Sequence, residues 1–161
     1  MPVESLAVAM DDQTLAMSSN SDFENDESRP EFVSGCLFCE LPVEKFVVVD
    51  ENELCLALTD SYPVTEGHCL IIPRRHAATY FDMNTAEVEA ATQLLHRSRE
   101  RIQQQDAKVS GFNIGMNSGK SAGQSVMHAH IHLIPRRDGD QENPQGGVRK
   151  IFPEKARYRR E

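Results

Sequence analysis

No apolar run in this chain approaches the ~18–20 residues needed to cross a bilayer as a helix, so no membrane partner is expected. The N-terminus lacks both a basic leading segment and an apolar stretch behind it, which argues against a secretory signal. Without secretion, the four cysteines at 36, 39, 55 and 69 do not read as a disulfide framework. A cytoplasmic location is the default expectation. No segment repeats, and 161 residues are enough for one domain with a real core. Basic charge is scarce overall, with a formal net charge of −8, but the deficit is uneven. Residues 1–30 hold seven acids (Glu4, Asp11, Asp12, Asp22, Glu24, Asp26, Glu27) against Arg29 alone, a net of −6, so the rest is near −2. The acidity describes the first 30 residues more than the domain. No nucleic-acid partner is expected.

What is present divides into a tail and a domain. Residues 1–30 are rich in Ser, Asp, Glu and Asn. Low hydrophobicity with charge of one sign cannot offset ordering entropy, so a disordered acidic tail is expected there. Residues 31–161 are expected to form the domain, with a C-terminal extension that is net basic: eight Lys/Arg against five Asp/Glu after Pro135. The runs 46-FVVVD-50 and 54-LCLALTD-60 flank a turn-like Glu51-Asn52-Glu53, a hairpin signal. A third strand is expected over 68-HCLIIP-73, a fourth over 111-GFNIGMN-117 and a fifth over 127-MHAHIHLIP-135. Between them, 84–105 reads as a helix, with Asn84 as N-cap, Glu87 completing a capping box, and Val88, Ala91, Leu95 and Ile102 on one face beside Leu94. The order β-β-β-α-β-β predicts an α+β fold: an antiparallel sheet of about five strands with the helix on one face.

Half of the six histidines fall in 127-MHAHIHLIPRR-137, at every second position. In a strand, His128, His130 and His132 would share one face, while Ala129, Ile131 and Leu133 pack the other way, under the helix. Three unpartnered imidazoles in one buried row would be costly. A solvated sheet face or an adventitious chelate is the plain alternative. Beside the Gly/Ser loop 118-SGKSAGQS-125, the row is better suited to chemistry near neutral pH. Separately, 35-GCLFCE-40 carries a Cys-x-x-Cys that fits zinc, a redox pair or two buried thiols; a redox motif would want a βαβ context, which is missing. Cys55 and Cys69 alternate with apolar residues and read as core thiols.

The segment 128-HAHIHLI-134 resembles the His-φ-His-φ-His-φ-φ signature of the histidine triad (HIT) superfamily, where φ is apolar. Upstream, 60-DSYPVTEGHCLIIPRRH-76 resembles that family's nucleotide-binding strand, and 117-NSGKSAGQSVMH-128 its phosphate loop. The resemblance covers about residues 36–137. It implies hydrolysis or transfer at the α-phosphorus of a nucleotide. His130 would be the nucleophile and form a nucleotidyl-histidine intermediate, with His132 on the phosphate or the leaving group. The second ring nitrogen of His130 should face a carbonyl, leaving the attacking nitrogen unprotonated. Asp60 would bind ribose hydroxyls. His68, Asn117, Gly123, Gln124 and Ser125 would serve the phosphate and leaving group.

One branch of the family carries a Cys-x-x-Cys zinc knuckle. The resemblance then assigns Cys36, Cys39, His76 and His128 as ligands of a structural zinc, so that His128 anchors while His130 attacks. The phosphoryl chemistry itself needs no metal. Family members are commonly homodimers and lean to purines. The segment 142–158 resembles a tail that closes over the site or joins a dimer interface, with Arg149 or Lys150 near a polyphosphate. Candidate substrates are dinucleoside polyphosphates and nucleoside phosphoramidates. A galactose-phosphate uridylyltransferase type is the alternative, disfavoured because Ala129 and His132 stand where that class has proline and glutamine. A nucleotide-binding module with incidental activity is another.

Overall fold

The computed structural model describes residues 31–156. The acidic segment 1–30 and residues 157–161 lie outside the described residues. Five strands form one antiparallel sheet in the order β1-β2-β3-β5-β4. They are β1 (Val48–Glu51), β2 (Cys55–Thr59), β3 (Cys69–Pro73), β4 (Val109–Gly115) and β5 (Ile131–Arg137). Among the described residues, two α-helices accompany them: the four-residue α1 (Leu37–Glu40) and the 21-residue α2 (Thr85–Gln105). The expected fold class and the expected strand order along the chain are both present.

Each element follows from local chemistry. Asn52 closes the β1–β2 hairpin by accepting the Leu54 and Cys55 amides on its side-chain oxygen, an Asx turn. α2 starts where its cap does: Asn84 Oδ1 accepts from the Glu87 amide and Glu87 returns the bond to the Asn84 amide. Its buried stripe is Ala90, Ala91, Leu94, Ser98 and Ile102, while Val88 and Leu95 are only partly covered. The stripe therefore centres on Leu94, which is fully buried, rather than on the Val88–Leu95 line.

The sheet has a different neighbour on each face. Cys55, Ala57, Cys69, Ile71, Ile131 and Leu133 pack with α2, so Cys55 and Cys69 are core thiols as expected. Leu56, Leu58, Leu70 and Ile72 point to the opposite face and gather under Phe38 of α1. Burying one such side chain contributes about 1.5–3 kcal/mol, so the α1 knuckle is held by apolar packing as well as by polar contacts.

One boundary differs from the sequence expectation in a way that shapes the site. β5 begins at Ile131, not at Met127, so His128 and His130 precede the strand and only His132 lies within it. The reason is the partner. β3 pairs with β5 no further than Ile71↔Ile131, leaving Pro73 beyond the ladder. Ahead of Ile131 the chain bonds elsewhere: the Ala129 amide donates to Ala77 O at 2.6 Å, and the His128 amide turns back to Val126 O. The three histidines are thus freed from a single row.

Candidate functional site

His128 is fully buried. Its Nε2 lies 2.9 Å from Pro73 O, a carbonyl left over where β3 outruns β5. A carbonyl accepts only, so Nε2 carries the proton and Nδ1 is a lone pair. That lone pair faces two thiols, Cys36 Sγ and Cys39 Sγ, each at 3.5 Å. His76 Nδ1 lies 3.3 Å from Cys39 Sγ. The four donor atoms lie within 4.8 Å of one another. A tetrahedral ion with Zn–S and Zn–N bonds of ordinary length would set S···N edges of about 3.6 Å, so these donors fit a metal of that kind. The Pro73 bond is the outer contact that a ligating imidazole ordinarily makes. Burial pushes His128 down to about 4 and lowers His76, shifts that favour the neutral rings ligation requires.

The metal-type cluster is braced from α2. Arg75, just before His76, meets the Glu87 carboxylate through Nε and a terminal nitrogen, both at 2.8 Å. Glu87 is buried, and it is the same residue that caps the helix. Arg75 also donates to Asp82 O at 2.9 Å. One carboxylate therefore ties the start of α2 to the approach of a metal-site histidine. Nothing in the sequence marks this pairing, because Arg75 and Glu87 are twelve positions apart.

His130 is buried and directed by the residue before last. Its Nδ1 donates to His128 O at 2.7 Å, the carbonyl contact expected from the sequence. This leaves Nε2 unprotonated and available for attack. The Phe38 ring meets the His130 ring edge-on at 5.4 Å. His132, on β5, has its ring 5.2 Å from that of His130. Its Nδ1 lies 3.0 Å from His68 Nε2. Asp60 Oδ2 stands 3.4 Å from His68 Nδ1 and 3.9 Å from His132 Nδ1. Burial lowers both rings against the pull of Asp60; His132 falls to about 4, with His130 and His68 adding to the shift.

The Gly/Ser loop turns beside these rings. Gly119 (φ 90) and Gly123 (φ 87) hold left-handed backbone on either side of the 3-10 turn Lys120–Ala122, which a side chain would strain. Gln124 is buried and its amide is fully used within the frame. Oε1 accepts from the Gly119 amide at 2.7 Å, and Nε2 donates to Ala78 O at 2.6 Å and Val126 O at 3.0 Å. Gln124 therefore holds the loop against the segment after His76. The amides of Ala122, Gly123 and Gln124 are likewise donated inside the loop. Ser121, Ser125, Asn117 and Lys120 are exposed.

A cavity of about 1310 Å³ opens past His68 and His132, with Asn117 and Gly123 on one wall. Its far wall comes from the C-terminal segment, where Val148, Lys150 and Phe152 lie across from β4. Arg149 instead donates to Lys155 O at 3.0 Å.

This arrangement can be set against known proteins. The HIT domain family matches residues 42–139. The chain belongs to the HIT family. Among its relatives is an Arabidopsis thaliana protein named as an adenylylsulfatase, 31% identical over 80% of this chain and 68% of that one. A Saccharomyces cerevisiae adenosine 5'-monophosphoramidase is 34% identical over 65% of each chain. A zinc-bound histidine triad family protein from Mycobacterium smegmatis superposes with a TM-score of 0.60, at 32% identity over 68% of this chain and 80% of that one. The names of its relatives, an adenylylsulfatase and a phosphoramidase among them, agree with this HIT protein being a hydrolase. Among the described residues, no helix is long and apolar enough to cross a membrane.

Proposed function

We propose that this HIT protein hydrolyses a nucleotide at its α-phosphorus through a nucleotidyl-His130 intermediate. The observation that carries the reading is the 2.7 Å bond from His130 Nδ1 to His128 O, which fixes the tautomer with Nε2 free. In the first step Nε2 attacks phosphorus and the bond to the leaving group breaks. In the second, water attacks the same phosphorus and releases His130. Dividing the reaction lets one imidazole serve as nucleophile and then as leaving group. Asp60 would hold ribose hydroxyls, while Asn117, Ser125 and His132 would meet the phosphate. Gln124 supports the loop that carries them. The substrates that fit are adenosine phosphoramidates, an adenylated sulfate or a dinucleoside polyphosphate, the first two matching the names of two relatives.

Zinc on Cys36, Cys39, His76 and His128 would supply structure alone, locking the residue whose carbonyl aims His130. β4 is an edge strand with Ile114 exposed, as is Met116 just past its end, which supports a homodimer formed along that edge.

His130→Ala tests the mechanism. Turnover of an adenosine phosphoramidate should fall by at least about 10⁴-fold, and a labelled nucleotidyl-protein trapped on the wild type should vanish. Unchanged turnover in the variant would mean that phosphorus is attacked by some other group.

A further inference from the structure

His130 has its tautomer set by a carbonyl. His132 has its tautomer set by another histidine, and the two settings are opposite. Two imidazole nitrogens 3.0 Å apart, His68 Nε2 and His132 Nδ1, share one proton, so one donates and the other accepts. The far side of His68 decides which. There the Val64 amide donates to His68 Nδ1 at 3.3 Å. A backbone N–H cannot accept, so Nδ1 is the lone pair and the His68 proton sits on Nε2. His68 therefore donates to His132 Nδ1, and His132 carries its own proton on Nε2.

Asp60 is the group that pulls the other way. Its Oδ2, 3.4 Å from His68 Nδ1, acts on that ring as a charge, and its Oδ1 is taken by the Tyr62 amide at 2.8 Å. Were Nδ1 protonated toward Asp60, His68 Nε2 would accept, and His132 would turn a lone pair to the site. His68 is 4% exposed, so solvent has little say in the contest.

We propose that His68 is a positioning residue that fixes His132 as the Nε2–H tautomer, so that His132 meets the phosphoryl group as a neutral hydrogen-bond donor. It acts neither as a base nor as an imidazolium acid. The site then presents one bare nitrogen, on His130, and one N–H, on His132. An uncharged donor leaves the neighbouring His130 lone pair free of a competing cation. This role rests on the nucleotide-hydrolase reading, but the tautomer itself does not.

The test uses the full chain with its metal and two near-isosteric variants. His68→Gln keeps an N–H where Nε2 was; His68→Glu puts an acceptor there. Long-range ¹H–¹⁵N spectra at pH 8 should show His132 as Nε2–H in the wild type and in the Gln variant, and as Nδ1–H in the Glu variant. Turnover of an adenosine phosphoramidate should fall less than about 10-fold with Gln and about 10²- to 10³-fold with Glu, the loss of one preorganised donor. Wild-type activity should also persist to pH 8, where an imidazolium of His132 is absent. An Nδ1–H signal for His132 in the wild type, or equal losses in the two variants, overturns the proposal. If the spectra behave as expected and the wild type turns over no nucleotide, the hydrolase reading fails and the tautomer assignment stands.

Discussion

The cluster of Cys36, Cys39, His76 and His128 and the cluster of Asp60, His68 and His132 both adjoin His130, and they differ in construction. In the first, two sulfurs and two imidazole nitrogens converge with S···N edges of 3.3–3.5 Å, and His128 is fully covered. In the second, the atoms form a line: Val64 N–H to His68, His68 to His132, with Asp60 beside. Convergence suits a cation that closes the cluster. A line suits the passing-on of a hydrogen-bond direction. His128 and His132 have the same side chain and sit four residues apart. Their roles diverge because β5 starts between them, which hands His128 to Pro73 and the thiols and leaves His132 on the sheet face.

The comparison breaks most visibly if the metal-type cluster is opened. Cys39→Ser, or exhaustive chelation, should lower the melting temperature by more than about 10 °C, since a structural metal contributes several kcal/mol and each kcal/mol moves a domain of this size about 2–4 °C. Activity should fall with it, because His128 O aims His130. His68→Gln should move the melting temperature by less than about 3 °C. Equal losses by calorimetry would show that the two clusters do the same structural job.

The brace behind the first cluster sharpens the contrast. Glu87→Gln leaves the Arg75 guanidinium half-buried without its counter-charge and weakens the helix cap as well. A cost of about 3 kcal/mol in urea unfolding is expected. Replacing the pair by apolar residues, with Arg75→Met and Glu87→Leu together, should recover the part of that loss due to the unpaired charge, though not the part due to the cap. If Glu87→Gln costs less than 1 kcal/mol, α2 does not hold the approach to His76.

The sequence shows these roles unequally. The hairpin at Asn52, the start of α2 at Asn84 and the Ala129–Ile131–Leu133 face are local events, set by a turn residue, a cap and a period of two. The grouping of Cys36, Cys39, His76 and His128 is legible only through resemblance, since nothing local brings residue 36 to residue 128. The sequence hides three contacts made by backbone groups: Pro73 O for His128, Ala77 O for the Ala129 amide, and the Val64 amide for His68. Any residue supplies a carbonyl or an amide, so no residue type marks them. Gln124 is a further case. The resemblance gave it a phosphate or leaving-group contact; in the structure its amide meets Gly119, Ala78 and Val126, contacts that no residue type marks either.

The smallest expected effect is a pH dependence confined to the second cluster. Burial holds His132 at about 4 in the folded chain, and His68 is lowered as well, against about 6.5 in the unfolded chain. Between these values the unfolded chain binds more protons than the folded one, so stability rises with pH. The contribution is complete above pH 6.5 and is lost as pH falls toward 4. For His132, a quarter exposed, it should amount to about 2 kcal/mol after screening by solvent. His132→Gln removes the titrating ring while keeping an amide for His68 to meet, and should flatten urea-unfolding free energies between pH 6.5 and 4.5 relative to the wild type. An ion held by Cys36, Cys39, His76 and His128 would also be released in acid, so both proteins are measured at saturating zinc. A variant curve as steep as the wild-type one would assign the whole acid dependence to Cys36, Cys39, His76 and His128.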